Sequence, residues 1–173
     1  KGGIERIGSS ESPWKAQIGK ETEQKGTASL ADHGAAIALE EKLLGGFTDL
    51  AAVGFKVVMA RGISGTQLLD ERVLKAMEEV NTLLPAHNPP YIAAMRAFAT
   101  KLPEVPQVAA FETGFHQTIP LSRQIYAIPH EWTETLGIRR YGFHGASHKY
   151  IATRVAEIVG KENCRRIISC HLG

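Results

Sequence analysis

Gly3-Ile4-Glu5-Arg6-Ile7 alternates apolar and charged side chains, the two-residue period of a strand with one face buried. Residues 8–31 are polar, with scattered Gly, Ser, Lys and Glu, and read as an irregular hairpin or a mobile loop. A helix is expected next: Asp32 suits an N-cap, Ile37, Leu39, Leu43 and Leu44 recur at helical spacing, and Gly45-Gly46 ends the run. Residues 51–59 form a short apolar run suited to a buried strand, and residues 61–66 a glycine-containing loop. Asp70 then caps a helix with Val73, Leu74, Met77 and Val80 on one face. Asn88-Pro89-Pro90 reads as a second N-cap with proline in the first turn, followed by the stripe Ile92, Met95, Phe98. Residues 108–111 are a buried strand stopping at Glu112, and residues 121–136 are helical in pieces. Ser147 is expected to cap a helix bearing Ile151, Val155 and Ile158, which Gly160 stops. Residues 166–170 are a last buried strand, running into His171, Leu172 and Gly173. Strands alternating with helices make this an α/β chain.

Two of these strands end at once in polar residues: Phe111 gives way to Glu112, and Cys170 to His171. In open α/β sheets ligands gather beyond the carboxyl ends of strands. Composition narrows the classes. The 173 residues carry 20 Lys plus Arg against 18 Asp plus Glu, a net charge of +2, with 43% hydrophobic residues. So apolar a chain with so little net charge is not a disordered tail, and its neutrality argues against nucleic acid as a partner. Cys164 and Cys170 make neither a disulfide framework nor a CxxC pair, and are expected to be small buried hydrophobes. No apolar run approaches the ~18 residues of a membrane span, and no signal peptide opens the chain. The expectation is a protein of the cytoplasm with no membrane partner. The chain starts at Lys1 without an initiator Met, so further residues are expected upstream.

Candidate chemistry concentrates in three segments. In Tyr141-Gly142-Phe143-His144-Gly145-Ala146-Ser147-His148 the glycines remove bulk around Phe143-His144, and helix amides just downstream favour an anion. A histidine presented there can bond a phosphoryl oxygen, although a tight turn with an exposed His144 fits the same residues. His144 and His148 are also four apart, a zinc-like spacing, but no third ligand is evident, and no metal site is assigned. Leu84-Pro85-Ala86-His87-Asn88-Pro89 places a histidine before a helix; packing against the proline turn is the plainer reading. Phe111-Glu112-Thr113-Gly114-Phe115-His116 puts a carboxylate just past a strand, where it acts as a base, holds a metal-bound water, or is simply solvated.

Taken together, IRRYGFHGASH, LLPAHNP, FETGFHQTIP and the terminal SCHLG, in this order and at these intervals, resemble the acetate kinase family. KGGIERIG at the start is similar to that family's second strand. The resemblance implies a mixed sheet with helices, a partial lobe of the ribonuclease H-like, actin-like ATPase type. It implies a phosphotransferase that moves the γ-phosphoryl of ATP to the carboxylate of acetate, with magnesium, giving acetyl phosphate and ADP. By correspondence, His144 contacts the transferring phosphoryl group, His87 is a second histidine near it, and Glu112 takes the place of a catalytic Asp. Lys56, Val58, Ala86 and Phe143 match substrate-binding positions, and His171, Leu172 and Gly173 match the start of the ATP-phosphate loop. Residues 1–173 are expected to be part of the N-terminal lobe of a longer enzyme, truncated at both ends and inactive alone. A homodimer is expected for the parent.

The chain departs from the family in four places. Lys56 stands where an Arg normally grips the carboxylate; it keeps the charge and loses the bidentate fork. Arg61 is near enough in sequence to compensate. Glu112 is one methylene longer than the family's Asp, Met59 replaces a His, and Ala86 replaces a Leu. Two alternatives follow: a kinase for propionate or another short acid, and a degenerate relative kept as a binding or assembly module.

Overall fold

The structure, a computed structural model, describes residues 1–172; Gly173, assigned to the phosphate loop, lies outside the described residues. In chain order the elements are β1 (Gly2–Ile4), β2 (Ser12–Ala16), β3 (Gln24–Ala28), α1 (His33–Leu44), β4 (Val53–Val57) and β5 (Thr66–Leu68). They continue as α2 (Glu71–Glu78), α3 (Asn88–Lys101), β6 (Gln107–Phe111), α4 (Leu121–Gln124), α5 (His130–Leu136) and α6 (Gly145–Val159). Short 3-10 turns cover Glu112–His116 and Lys161–Asn163. Two compact units result: Lys1–Val53 with Pro89–Gln107, and Gly54–Asn88 with Val108–Gly173.

In the first unit β1, β2 and β3 form an antiparallel sheet in that order. The polar stretch read as an irregular hairpin or loop is therefore two regular strands. No apolar alternation marks them because their cohesion lies elsewhere. Trp14 pairs with Gly26 across the ladder, and its ring occupies the space a Cβ on Gly26 would need. An aromatic laid over a cross-strand glycine replaces the missing side chain. Ser12 is fully buried and donates to the Arg6 carbonyl at 2.8 Å, closing the loop into β2. Helix α1 begins as expected, with Asp32 accepting from the Ala35 amide at 2.8 Å, and ends at Gly45 in the left-handed region.

In the second unit the strands lie in the order β4-β6-β5, with β5 antiparallel to β6. The loop expected over residues 61–66 runs directly into β5, a strand the pattern did not disclose. Strand β4 is shorter than the apolar run and alternates, its buried end continuing into Val58, Met59 and Ala60. Asp70 caps α2, accepting from the Val73 amide at 2.8 Å, and Val73, Leu74, Met77 and Val80 are buried as their spacing predicts.

Three expectations fail here. Residues 166–170 form no strand, and Ile168 is 94% exposed: among the described residues no strand lies beside them, and an unpaired strand has no ladder to hold it. Cys164 is only half-buried and Cys170 is exposed, for the same reason. On α6, Ile151 and Ile158 face outward, so the expected apolar stripe covers no core within this unit.

Candidate active site

The site is built around the start of α6. His144 immediately precedes this 15-residue helix, at φ 54° and ψ 31°. A left-handed conformation costs a non-glycine residue roughly 1–2 kcal/mol, so it persists only where the surroundings impose it. Gly145 is buried, and a Cβ there would overlap the Glu112 carbonyl oxygen. The helix can approach the end of β6 this closely only because its first residue has no side chain. Ser147 is not the cap the pattern indicated. It lies inside the first turn, and its hydroxyl is 3.0 Å from His171 Nδ1.

Four histidines gather here. The His144 ring stacks on His171 with centroids 4.0 Å apart and planes 23° from parallel. His148 Nδ1 lies 3.0 Å from the Ser169 hydroxyl, and its ring is 5.8 Å from that of His116. His116 Nε2 lies 2.8 Å from the Phe143 carbonyl. Sequence reasoning gave His116, Ser147 and Ser169 no part in the site, although all three stand inside quoted motifs. The available signal was the shared motif FETGFH, in which Glu112 opens and His116 closes one 3-10 turn.

Glu112 is 8% exposed and Lys56 Nζ is 3.5 Å from its Oε1. The residue assigned to substrate carboxylate, on β4, and the residue assigned to catalysis, in the turn that follows β6, thus form an ion pair. A buried carboxylate needs such a partner. Arg61 is exposed and pairs with Glu79 at 3.5 Å. Phe143 is 45% exposed and lines a pocket of about 480 Å³ with Arg61, Met59, Leu83 and Leu84.

The remaining assignments are more dispersed. Val58 is buried in the core, and Ala86 and His87 are exposed on the turn into α3; neither Val58 nor Ala86 lines the Phe143 pocket. Asn88 does not act as the expected N-cap. It is fully buried, and its amide donates to the carbonyls of Met59 at 3.1 Å and Met77 at 2.9 Å, tying the exit of β4 to α2. Leu172 is exposed beside His171.

Comparison with known proteins supplies the wider frame. The family model described as the acetokinase family matches residues 1–173. The chain belongs to the acetokinase family. An acetate kinase of Geobacillus kaustophilus is 42% identical over 181 residues, covering 100% of this chain and 46% of that protein. One of Bacillus subtilis is 38% identical over the same length, with 100% and 46% covered. The chain spans about half the length of the curated relatives it matches. Among solved structures, the acetate kinase of Porphyromonas gingivalis superposes with a TM-score of 0.80 at 30% identity, covering 92% of this chain and 42% of that one. A propionate kinase from Francisella tularensis gives a TM-score of 0.83 at 31% identity, covering 91% and 42%. The α/β architecture is therefore that of this actin-like ATPase lobe, as the motifs implied. Among the described residues no helix is long and apolar enough to cross a membrane.

Proposed function

We propose that the whole protein transfers the γ-phosphoryl group of ATP to the carboxylate of acetate or a near homologue, giving acetyl phosphate and ADP. The observation that carries this reading is the placement of His144. It is held left-handed at the start of α6, stacked on His171, with Glu112 directly beneath the same helix end. Phosphoryl transfer asks for positioned donors and charge stabilisation more than for covalent chemistry, and a pre-set imidazole at a helix N-terminus offers both. In this reading His144 bonds the equatorial oxygens of the transferring group, His87 approaches it from the turn before α3, and Glu112 receives or orients a proton. Phe143 meets the alkyl end of the acid; Lys56, Val58 and Ala86 are substrate positions by family correspondence alone, since none of them lines the Phe143 pocket. His171, Leu172 and Gly173 begin the phosphate loop.

Magnesium is implied by the family, but the residues present do not build a site for it. Among the described residues no group of three His, Cys, Asp or Glu side chains is placed to hold a metal ion, the four clustered histidine rings included, and Glu112 is already met by Lys56. The stretch is read as part of the enzyme's N-terminal lobe. A cytoplasmic homodimer completes the reading, supported by family resemblance alone.

A second reading has one observation in its favour. The Lys56–Glu112 pair occupies both groups, as in a relative that has kept the fold for binding only. One experiment separates the two. Acetyl phosphate, trapped as its hydroxamate, is measured for the full-length protein and for His144→Ala. The kinase reading expects turnover by the former and, in the variant, a kcat lowered far more than acetate KM is raised, the signature of a contact made only in the transition state. ATP binding with no turnover would establish the binding module.

A further inference from the structure

We propose that His116 is a positioning residue for His144, fixing the peptide units that precede it through a bond from its Nε2–H to the Phe143 carbonyl. The inference rests on the reading of His144 given above. The nitrogen lies 2.8 Å from that oxygen, and a carbonyl only accepts, so Nε2 carries the proton and the neutral ring is the Nε2–H tautomer. The same ring fills the space beside Gly142. A Cβ on that glycine would overlap the His116 ring, and its φ of 77° already suits glycine best.

The loop before α6 is therefore held at three successive points by the single turn Glu112–His116. Gly142 lies against the His116 ring, the Phe143 carbonyl accepts from His116, and Gly145 rests on the Glu112 carbonyl. Within this stretch the His144 ring stacks on His171, outside that turn, and its side chain makes no capping bond to its own helix. A strained residue flanked by anchored peptides keeps its conformation; one released on the N-terminal side does not. His116 thus completes a bracket that sets His144 and Glu112 at a fixed separation, because both are referred to the same turn. Phe115 and His148, edge-on at 5.3 and 5.8 Å, keep the His116 ring itself upright.

Two substitutions in the full-length enzyme test this. His116→Phe keeps a ring and removes the donor; His116→Gln restores an N–H at the reach of Nε2. In the Phe variant kcat for acetyl phosphate formation is expected to fall about 10- to 100-fold, the scale of a ~1 Å misplacement. KM values for ATP and acetate are expected to stay within about twofold. Hydrogen exchange at the amides of Phe143 to Ala146 should quicken in the Phe variant, and Gln should recover both readouts. Unchanged exchange in the Phe variant overturns the inference and leaves the reading of His144 standing. Faster exchange with unchanged kcat shows a held loop whose histidine does not serve the transfer; the reading of the site then falls, and the proposal with it. Equal losses in Phe and Gln, with a lowered melting temperature in both, assign His116 to packing and also overturn it.

Discussion

Lys56 and Glu112 were assigned separately by their motifs, one to the substrate carboxylate and the other to catalysis, yet they face each other at 3.5 Å. Lys56 is 56% exposed while Glu112 is 8% exposed, so solvent screens the pair from one side only, and its interest here lies in binding. If Lys56 holds substrate, Lys56→Ala raises KM for acetate whether or not Glu112 is charged. If it is the counter-ion of Glu112, the effect of Lys56→Ala disappears in a Glu112→Gln background. We expect the second outcome, with Arg61→Ala raising acetate KM more than Lys56→Ala does, because Arg61 shares the pocket of Phe143. A full double-mutant cycle in KM and kcat reads this directly. Additive effects at Lys56 and Glu112 would return Lys56 to the clamp role its motif position implies. Asn88 is the second case of a motif residue used differently. Its amide spans two main-chain carbonyls in the core. Asn88→Asp at neutral pH places an anion against both acceptors, and Asn88→Leu leaves them unpaired. The Leu variant is expected to lose about 1–3 kcal/mol and the Asp variant more, roughly 3–5 kcal/mol, in urea unfolding. Equal losses would mean that the two bonds do not matter.

Helix starts were legible where an aspartate caps them, and not at Asn88 or Ser147, whose side chains are used otherwise. Asp32 and Asp70 each accept from the amide three residues on, as read from the sequence. The hairpin β2–β3 was legible only as one of two readings, an irregular hairpin or a mobile loop, because its strands are held by a backbone ladder and by Trp14 over Gly26 rather than by alternating hydrophobes. Strand β5 was hidden for a similar reason: it is three residues long and mostly exposed. The start of α6 shows a third kind of limit. Glycine spacing pointed to the candidate site but not to its geometry, which depends on Gly145 meeting a carbonyl 33 positions earlier in the chain, at Glu112. That contact yields a prediction against propensity. At an open helix position Gly→Ala stabilises by about 0.5–1 kcal/mol. Gly145→Ala is instead expected to destabilise, since the added methyl collides with the Glu112 carbonyl and helix or turn must shift. Activity is expected to fall at least about 100-fold if the shift reaches ~1 Å. A raised melting temperature with full activity would show that α6 does not lean on Glu112.

At the scale of the whole molecule the open question is the length of the acid, and overall likeness does not answer it. The acetate kinase and the propionate kinase superpose equally well, with TM-scores of 0.80 and 0.83 at 30% and 31% identity. The local chemistry must therefore decide. The motif reading put the extra room at Ala86, where the family carries Leu, beside Phe143 and Val58. In the structure Val58 is core and Ala86 is exposed, and the pocket that Phe143 lines is walled by Met59, Leu83, Leu84 and Ile138, with Arg61 among its residues. At about 480 Å³ this space exceeds what a single methyl group needs. A further buried methylene is worth about 0.8 kcal/mol, or roughly fourfold, within the ~1–3 kcal/mol that apolar pockets discriminate. We expect kcat/KM of the full-length enzyme for propionate to equal or exceed that for acetate. Leu84→Phe should move the preference toward acetate, and Ala86→Leu should leave it where it is. A shift on Ala86→Leu with none on Leu84→Phe returns the methyl wall to the motif position. A steep fall from acetate to propionate in the unmutated enzyme means that Met59, already buried at the pocket's edge, closes it to anything longer than two carbons.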